Sequence, residues 1–216
     1  MEKELKQKSI NLVKVVLFGP ESTGKTTISK QLARHYNTVW TPEFARQYLQ
    51  KKWNNERKTC EASDLIPIAI GQIHLENKLA KKADKVLICD TDLLETKVYS
   101  EEYYGGYVEE KLNNAALKNQ YDLYLLTYID TPWEEDDLRD RPESRLEMFT
   151  AFENALKKYN KNYILLKGDK ETRLDTASKA IDKIIASKNN LYSFSDSIID
   201  SEINLSEKNL ENSVKH

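Results

Sequence analysis

Apolar residues fall along this chain in two alternating patterns, short unbroken runs and stripes of helical period. The unbroken runs are Leu12 to Phe18, Lys85 to Asp90 and Tyr121 to Tyr128, dominated by Val, Leu and Ile. Runs of strand length without polar alternation suit strands covered on both faces. Thr38 to Trp40 and Tyr163 to Leu166 are two shorter strand candidates. Between the runs, Ile28, Leu32, Ala33 and Tyr36 mark a helix over Lys25 to Tyr36. Ile66, Ile70, Ile73 and Ala80 mark another over Asp64 to Lys82. Phe149, Phe152, Leu156 and Tyr159 align within Ser144 to Tyr159, and Leu174, Ala177, Ile181 and Ile184 within Lys170 to Ala186. Pro42 opens a helix over Glu43 to Lys52, because its fixed φ suits a first turn. Thr96 to Tyr104 and Val108 to Leu117 are two more, parted by Gly105-Gly106. Strands alternating with helices predict an α/β chain with a parallel sheet covered on both faces.

After Ser187 the pattern lapses. Ser, Asn, Asp and Glu dominate Asn189 to His216, a composition with little to bury. The expected organisation is one domain over residues 1–188 and a disordered, dispensable tail over 189–216, with a docked helix as the alternative for the tail. A core of this size folds without disulfide or metal staples.

Composition then excludes several classes of function. Lys plus Arg total 33 against 35 Asp plus Glu, a formal net charge of −2. That balance gives no electrostatic case for nucleic acid as a partner. No segment approaches the roughly 20 apolar residues that span a bilayer, and no signal-type apolar stretch follows Met1 to Ser9. A soluble, cytoplasmic protein is expected. Cys60 and Cys89 lack metal spacing, and Cys89 lies in an apolar run as a small core residue would. His35 and His74 sit in separate helices and read as surface or cap residues.

The chemistry begins at Gly19-Pro-Glu-Ser-Thr-Gly24-Lys25-Thr26, which fits G-x-x-x-x-G-K-[ST] between a buried strand and an amphipathic helix. Such a loop curves its backbone N–H groups around phosphate oxygens, aided by the dipole of the helix it opens. Gly19, Glu21, Ser22, Thr23, Gly24, Lys25, Thr26 and Thr27 are the candidate nucleotide-binding residues. Lys25 supplies a positive charge to the β- and γ-phosphates of ATP or GTP, and the Thr26 hydroxyl is a ligand for Mg²⁺.

Asp90-Thr91-Asp92 ends the second buried run, where parallel sheets collect their ligands. Asp90 is a candidate for holding Mg²⁺. Asp92 precedes a helix, so N-capping and a catalytic role both stand. Glu43 follows the second strand as a candidate base for a substrate hydroxyl, or as a first-turn acid that complements the helix dipole. Arg139, Arg141 and Arg145 lie in the polar segment that starts at Trp133. They suit a lid over transferring phosphates, with Arg139 and Arg145 offsetting charge in the transition state and Arg141 on the nucleotide. Acids interleave with these arginines, so a solvated loop of internal ion pairs is the alternative.

Taken together, Gly19-Pro-Glu-Ser-Thr-Gly-Lys-Thr-Thr, Pro42-Glu-Phe-Ala-Arg46, Asp90-Thr-Asp92 and Trp133-Glu-Glu-Asp-Asp-Leu-Arg139-Asp140 resemble the ribosylnicotinamide kinase domain of NadR-type proteins, an AAA-type ATPase-like family. The similarity spans roughly Val13 to Ile185. It implies a three-layer P-loop kinase fold with strand order 2-3-1-4-5. It also implies ATP- and Mg²⁺-dependent phosphorylation of the nicotinamide riboside 5′-hydroxyl, giving nicotinamide mononucleotide; a P-loop kinase for another nucleoside or nucleoside monophosphate, or a nucleotide-binding regulatory ATPase, is the alternative. Trp40, Phe44, Tyr103 and Trp133 are then candidates to stack on the cationic pyridinium ring, or they are simply core. Two departures stand out. The family's lid commonly reads Asp-Gly before its Arg where this chain has Asp136-Asp137, and no His-x-Gly-His element occurs, so adenylyl transfer is not expected of it.

Overall fold

The computed structural model describes residues 3–139 and 142–190. Five strands form one parallel sheet: β1 (Val13–Phe18), β2 (Trp40–Thr41), β3 (Val86–Asp90), β4 (Leu123–Thr127) and β5 (Tyr163–Leu166), in the order β2-β3-β1-β4-β5. The helices are α1 (Lys25–His35), α2 (Phe44–Glu56), α3 (Leu65–Ala80), α4 (Leu93–Tyr103), α5 (Glu110–Lys118), α6 (Arg145–Lys158) and α7 (170–190). The implied strand order is the one found, and the P-loop kinase fold with it.

Every residue of β1, β3 and β4 is buried, as unbroken apolar runs in the middle of a covered sheet require. Val16, Phe18, Leu87, Cys89, Tyr124 and Leu126 share one face of the sheet with Leu94 and Val98 of α4 and Phe149, Phe152 and Leu156 of α6. Val15, Leu17, Ile88 and Leu125, one position out of phase, are equally buried. On that side α1 packs against β1 and β3 and buries Ile28 and Leu32. A second apolar cluster joins Leu65, Ala69 and Ile73 of α3 to Leu93 of α4 and Leu112 and Ala116 of α5.

Several boundaries differ from the sequence expectation, among them the end of α2, which runs to Glu56 where Lys52 was expected. The second strand is Trp40–Thr41, shifted toward Pro42. Helix α4 begins at Leu93, three residues before Thr96, because Asp92 caps it. Helix α7 continues to residue 190, so Asn189 and Asn190 belong to it, and residues 191–216 of the expected tail lie outside the described residues. The chain divides into compact units Met1–Ser178 and Lys179–His216, and the candidate functional site lies wholly in the first. Among the described residues no helix is long and apolar enough to cross a membrane.

Candidate functional site

The site gathers at the C-terminal ends of β1, β3 and β4. Gly19 leaves β1 at φ 138° and Gly24 turns into α1 at φ 83°, both conformations that side chains disfavour. A Cβ on Gly19 would lie 2.7 Å from Thr127 Oγ1, so the close approach of β4 also demands glycine there. Thr23 ties the loop down: its hydroxyl lies 2.8 Å from the Pro20 carbonyl and 2.7 Å from Thr127 Oγ1. Ser22 holds φ 55° although it carries a side chain, and its neighbours fix it there. Its carbonyl accepts from Thr131 Oγ1 at 2.7 Å and from Arg145 at 3.2 Å, while its Oγ accepts the Glu134 N–H at 2.8 Å.

Lys25 is buried, and its Nζ donates to the carbonyls of Gly19 (2.6 Å) and Pro20 (3.0 Å). A third partner is Glu95, 3.2 Å away. Burial works against the ammonium charge, but Glu95, Glu43 and Asp90 outweigh it and hold Lys25 above its usual range. The Thr26 hydroxyl donates to Asp90 Oδ2 at 2.5 Å, across the register that pairs Leu17 with Asp90. Burial, with Glu43 nearby, pushes the Asp90 carboxyl up to about 6. Its Oδ1 is buried and has no hydrogen-bond partner. An orphaned carboxylate oxygen beside a threonine hydroxyl fits a hard divalent cation, whose remaining ligands would be phosphate and water. Thr26 and Asp90 are thus the pair that would hold Mg²⁺.

Asp92 is buried and commits both oxygens to the fold. Oδ1 accepts the Glu95 N–H at 3.0 Å as the α4 cap, and Oδ2 accepts the Tyr124 hydroxyl at 2.8 Å. Burial lifts its carboxyl to about 6 against those two bonds. Glu43 stands half-buried at the start of α2 and makes no capping bond there. Its charge acts on Lys25, Asp90 and Glu95 alike. An open groove of about 590 Å³ runs from it along α2, lined by Pro42, Phe44, Gln47, Gln50 and Asn54 among others. Glu21 and Thr27 lie in the same loop and first turn, half-buried and exposed respectively.

The three arginines expected of a lid separate. Arg145 turns to the phosphate loop, donating to Ser22 O and to Thr131 O at 2.9 Å, with its guanidinium 5.7 Å from the Trp133 ring. Arg139 instead pairs with Asp136 at 3.0 Å and donates to Glu134 O at 2.5 Å. Asp136 also pairs with Arg46 of α2 at 2.8 Å, and Gln50 donates to Asp137 at 3.2 Å. Arg141 lies outside the described residues. Of the aromatic candidates, Phe44 lines the groove, Trp133 already carries a cation, Trp40 lies beneath Lys30 and Tyr103 packs edge-on to Tyr99.

Sequence reasoning missed two residues. Glu95 holds Lys25 and accepts the Gly19 N–H at 3.4 Å. Arg173, buried in the first turn of α7, donates to Thr23 O at 2.6 Å and pairs with Asp130. Glu95 carried a faint signal, an acid at the third position after a capping Asp. Arg173 carried none.

Known proteins resemble this chain in sequence and fold. The Trifunctional NAD biosynthesis/regulator protein NadR of Salmonella typhimurium is 32% identical over 126 residues, which is 58% of this chain and 30% of that protein. The chain thus covers less than a third of that curated relative. Two crystal structures of NadR protein, one in complex with NR and one with NAD and AMP-PNP, each superpose at a TM-score of 0.66. They cover 80% and 82% of this chain and 50% of theirs, at 23% and 21% identity, and they share its fold. The resemblance to NadR-type kinase domains seen in the motifs is found again in these relatives. A family described as an AAA domain matches residues 14–173, a stretch that opens at β1 and closes on Arg173, and the chain belongs to it.

Proposed function

We propose that the protein transfers the γ-phosphoryl group of ATP to the 5′-hydroxyl of nicotinamide riboside, giving nicotinamide mononucleotide and ADP. The observation that carries the reading is the position of Glu43. One carboxylate lines an open groove, and its charge acts on Lys25 and Asp90 at the phosphate loop. An acceptor in that groove presents its hydroxyl between the acid and the γ-phosphate. The hydroxyl oxygen bonds to the γ-phosphorus, the bond to the β–γ bridging oxygen breaks, and Glu43 takes the hydroxyl proton. Lys25 and the loop N–H groups hold the phosphates, and Arg145 approaches from the lid side to offset charge on the transferring group. Mg²⁺ on Thr26 and Asp90, when bound, supplies further charge neutralisation. Asp92 keeps α4 in place beneath the site.

Similarity to NadR, including a structure of NadR protein in complex with NR, supports nicotinamide riboside as the acceptor. The test is an acceptor screen with Mg·ATP, followed by Glu43→Gln and Asp92→Asn. Nicotinamide riboside is expected to be phosphorylated, with Glu43→Gln lowering kcat about 10²–10⁴-fold. Asp92→Asn is expected to act chiefly through stability and KM. A folded protein that phosphorylates another nucleoside instead keeps the chemistry and replaces the acceptor. Unchanged turnover in Glu43→Gln removes Glu43 as the base.

A further inference from the structure

Glu95 is a buried acid with no part in the phosphoryl-transfer step. It lies in the first turn of α4 with 2% of its surface exposed. Its carboxylate reaches the phosphate loop twice, 3.2 Å from Lys25 Nζ through Oε1 and 3.4 Å from the Gly19 nitrogen through Oε2. A lysine ammonium and backbone N–H groups are the donors that such a loop presents to phosphate. One side-chain carboxylate therefore lies on both kinds. Lys25 has three protons to donate, and the carbonyls of Gly19 and Pro20 together with Glu95 account for all three.

The charges around Glu95 govern its response to an arriving phosphate. Lys25 of α1 is the cation that offsets it, and Glu43 ahead of α2 and Asp92 at the α4 cap are the anions that face it. Tyr99, one turn along α4, also interacts with it, and Asp90 at the end of β3 faces Lys25. A phosphate that engages Lys25 leaves Glu95 buried among negative groups. A carboxylate so placed binds a proton in preference to remaining an unpaired buried anion.

We propose that Glu95 is a positioning residue that competes with nucleotide phosphate for Lys25, and that it yields Lys25 by taking one proton from solvent. The inference rests on nucleotide binding by the phosphate loop and not on the identity of the acceptor. Its pH range follows from the burial of the carboxyl, which already lifts it to about 8 against the pull of Lys25. Below that pH the proton is largely in place before nucleotide binds, and binding is insensitive to pH. Above it the free protein holds Glu95 ionised on Lys25, so a proton must enter with the nucleotide and affinity falls as pH rises. Lys25 itself, held above its usual range, stays charged through this interval.

The probe is Mg·ADP, whose phosphates are fully ionised in the alkaline range. In the wild-type protein the Kd is expected to be flat near pH 7 and to rise about tenfold between roughly pH 8 and 9.5. In Glu95→Gln the Kd should change less than about twofold over the same range and be lower than wild type at the alkaline end. Calorimetry of the wild type near pH 9, in two buffers of different ionisation heat, should count close to one proton taken up per ADP. That count needs no variant, so it decides the matter even if Glu95→Gln fails to fold. Zero uptake, or equal pH slopes in both proteins, overturns the inference and leaves the kinase reading in place. Failure of ADP to bind near pH 7 overturns both.

Discussion

The Arg173 guanidinium donates to the Thr23 carbonyl across 2.6 Å, joining residues 150 positions apart. The same group reaches Gly168 O at 2.9 Å and Tyr128 O at 3.1 Å, and it pairs with Asp130. One planar side chain thus pins the phosphate loop, the end of β4 and the turn after β5. Lys could not span these acceptors. Arg173→Met should lower stability by about 2–4 kcal/mol, because it strands three carbonyls and a partly buried carboxylate. Denaturant unfolding measures the loss, and weaker ADP binding should accompany it.

Lys25→Ala should lower kcat at least about 10²–10³-fold while leaving a folded protein. Removing a buried cation ordinarily strands its partner, but here Glu95 can become neutral by protonation, since its carboxyl already sits at about 8. Circular dichroism and turnover together check this. A folded variant with wild-type turnover would exclude the phosphate-loop assignment.

Arg145→Ala should reduce kcat about 10²-fold and change the Kd for ATP much less. Its guanidinium lies against Ser22 and Thr131, at the edge of the loop that holds the phosphates. Arg139, held by Asp136 and Glu134, must leave those partners before it can act on phosphate. Equal losses in kcat and ATP affinity for Arg145→Ala would assign it to ground-state binding instead.

Gly71→Ala should both destabilise the protein, by about 1–3 kcal/mol, and raise KM for the acceptor. A Cβ at Gly71 would fall 2.1 Å from the Phe44 ring, so α2 has to move away from α3. Glu43 and the groove move with it. Unchanged KM in a destabilised variant would separate the groove from acceptor binding.

Stability of the nucleotide-free protein should fall as pH rises from about 5 to 8. Burial raises Glu95 to about 8, so between its unfolded value and that figure the folded state binds the extra proton. Stability is then present at low pH and lost as pH climbs through the interval. Glu95→Gln should reduce this decline by about 3 kcal/mol in urea titrations. Asp64, Asp130 and Asp136, whose carboxyls are held low, act in the opposite sense and lose their contribution only in more acidic solution.

The sheet was legible because β1, β3 and β4 are dominated by apolar residues on both faces, the buried Lys14 aside, so no alternation had to be resolved. The start of α4 was not. Leu93 and Leu94 continue the apolar character of β3, and Asp92, though a cap candidate in the sequence, had a competing catalytic reading until its bond to the Glu95 N–H was seen. Lys25, Thr26 and Asp90 could be read because a short loop fixes the first two and a strand end the third. Glu95 offered only its place after a capping Asp, and Arg173 nothing, since the atoms they hold lie 76 and 150 residues away. The segment from Trp133 was legible as arginines interleaved with acids, but not in its pairing. Nothing in the spacing of Arg139 and Arg145 says that one faces its own acids and the other the phosphate loop.

Strand order has a consequence for synthesis of the chain. Among the described residues β1 precedes the other strands yet pairs only with β3 and β4, which come tens of residues later, and β2 pairs only with β3. The phosphate loop is therefore translated early and clamped late, once Thr127 and finally Arg173 have left the ribosome. Closing contacts of such long sequence separation is slow and leaves the apolar β1 in search of a partner meanwhile. Nascent chains that end before Arg173 should neither retain ADP nor resist protease, so nucleotide capture reports that the whole sheet has been assembled.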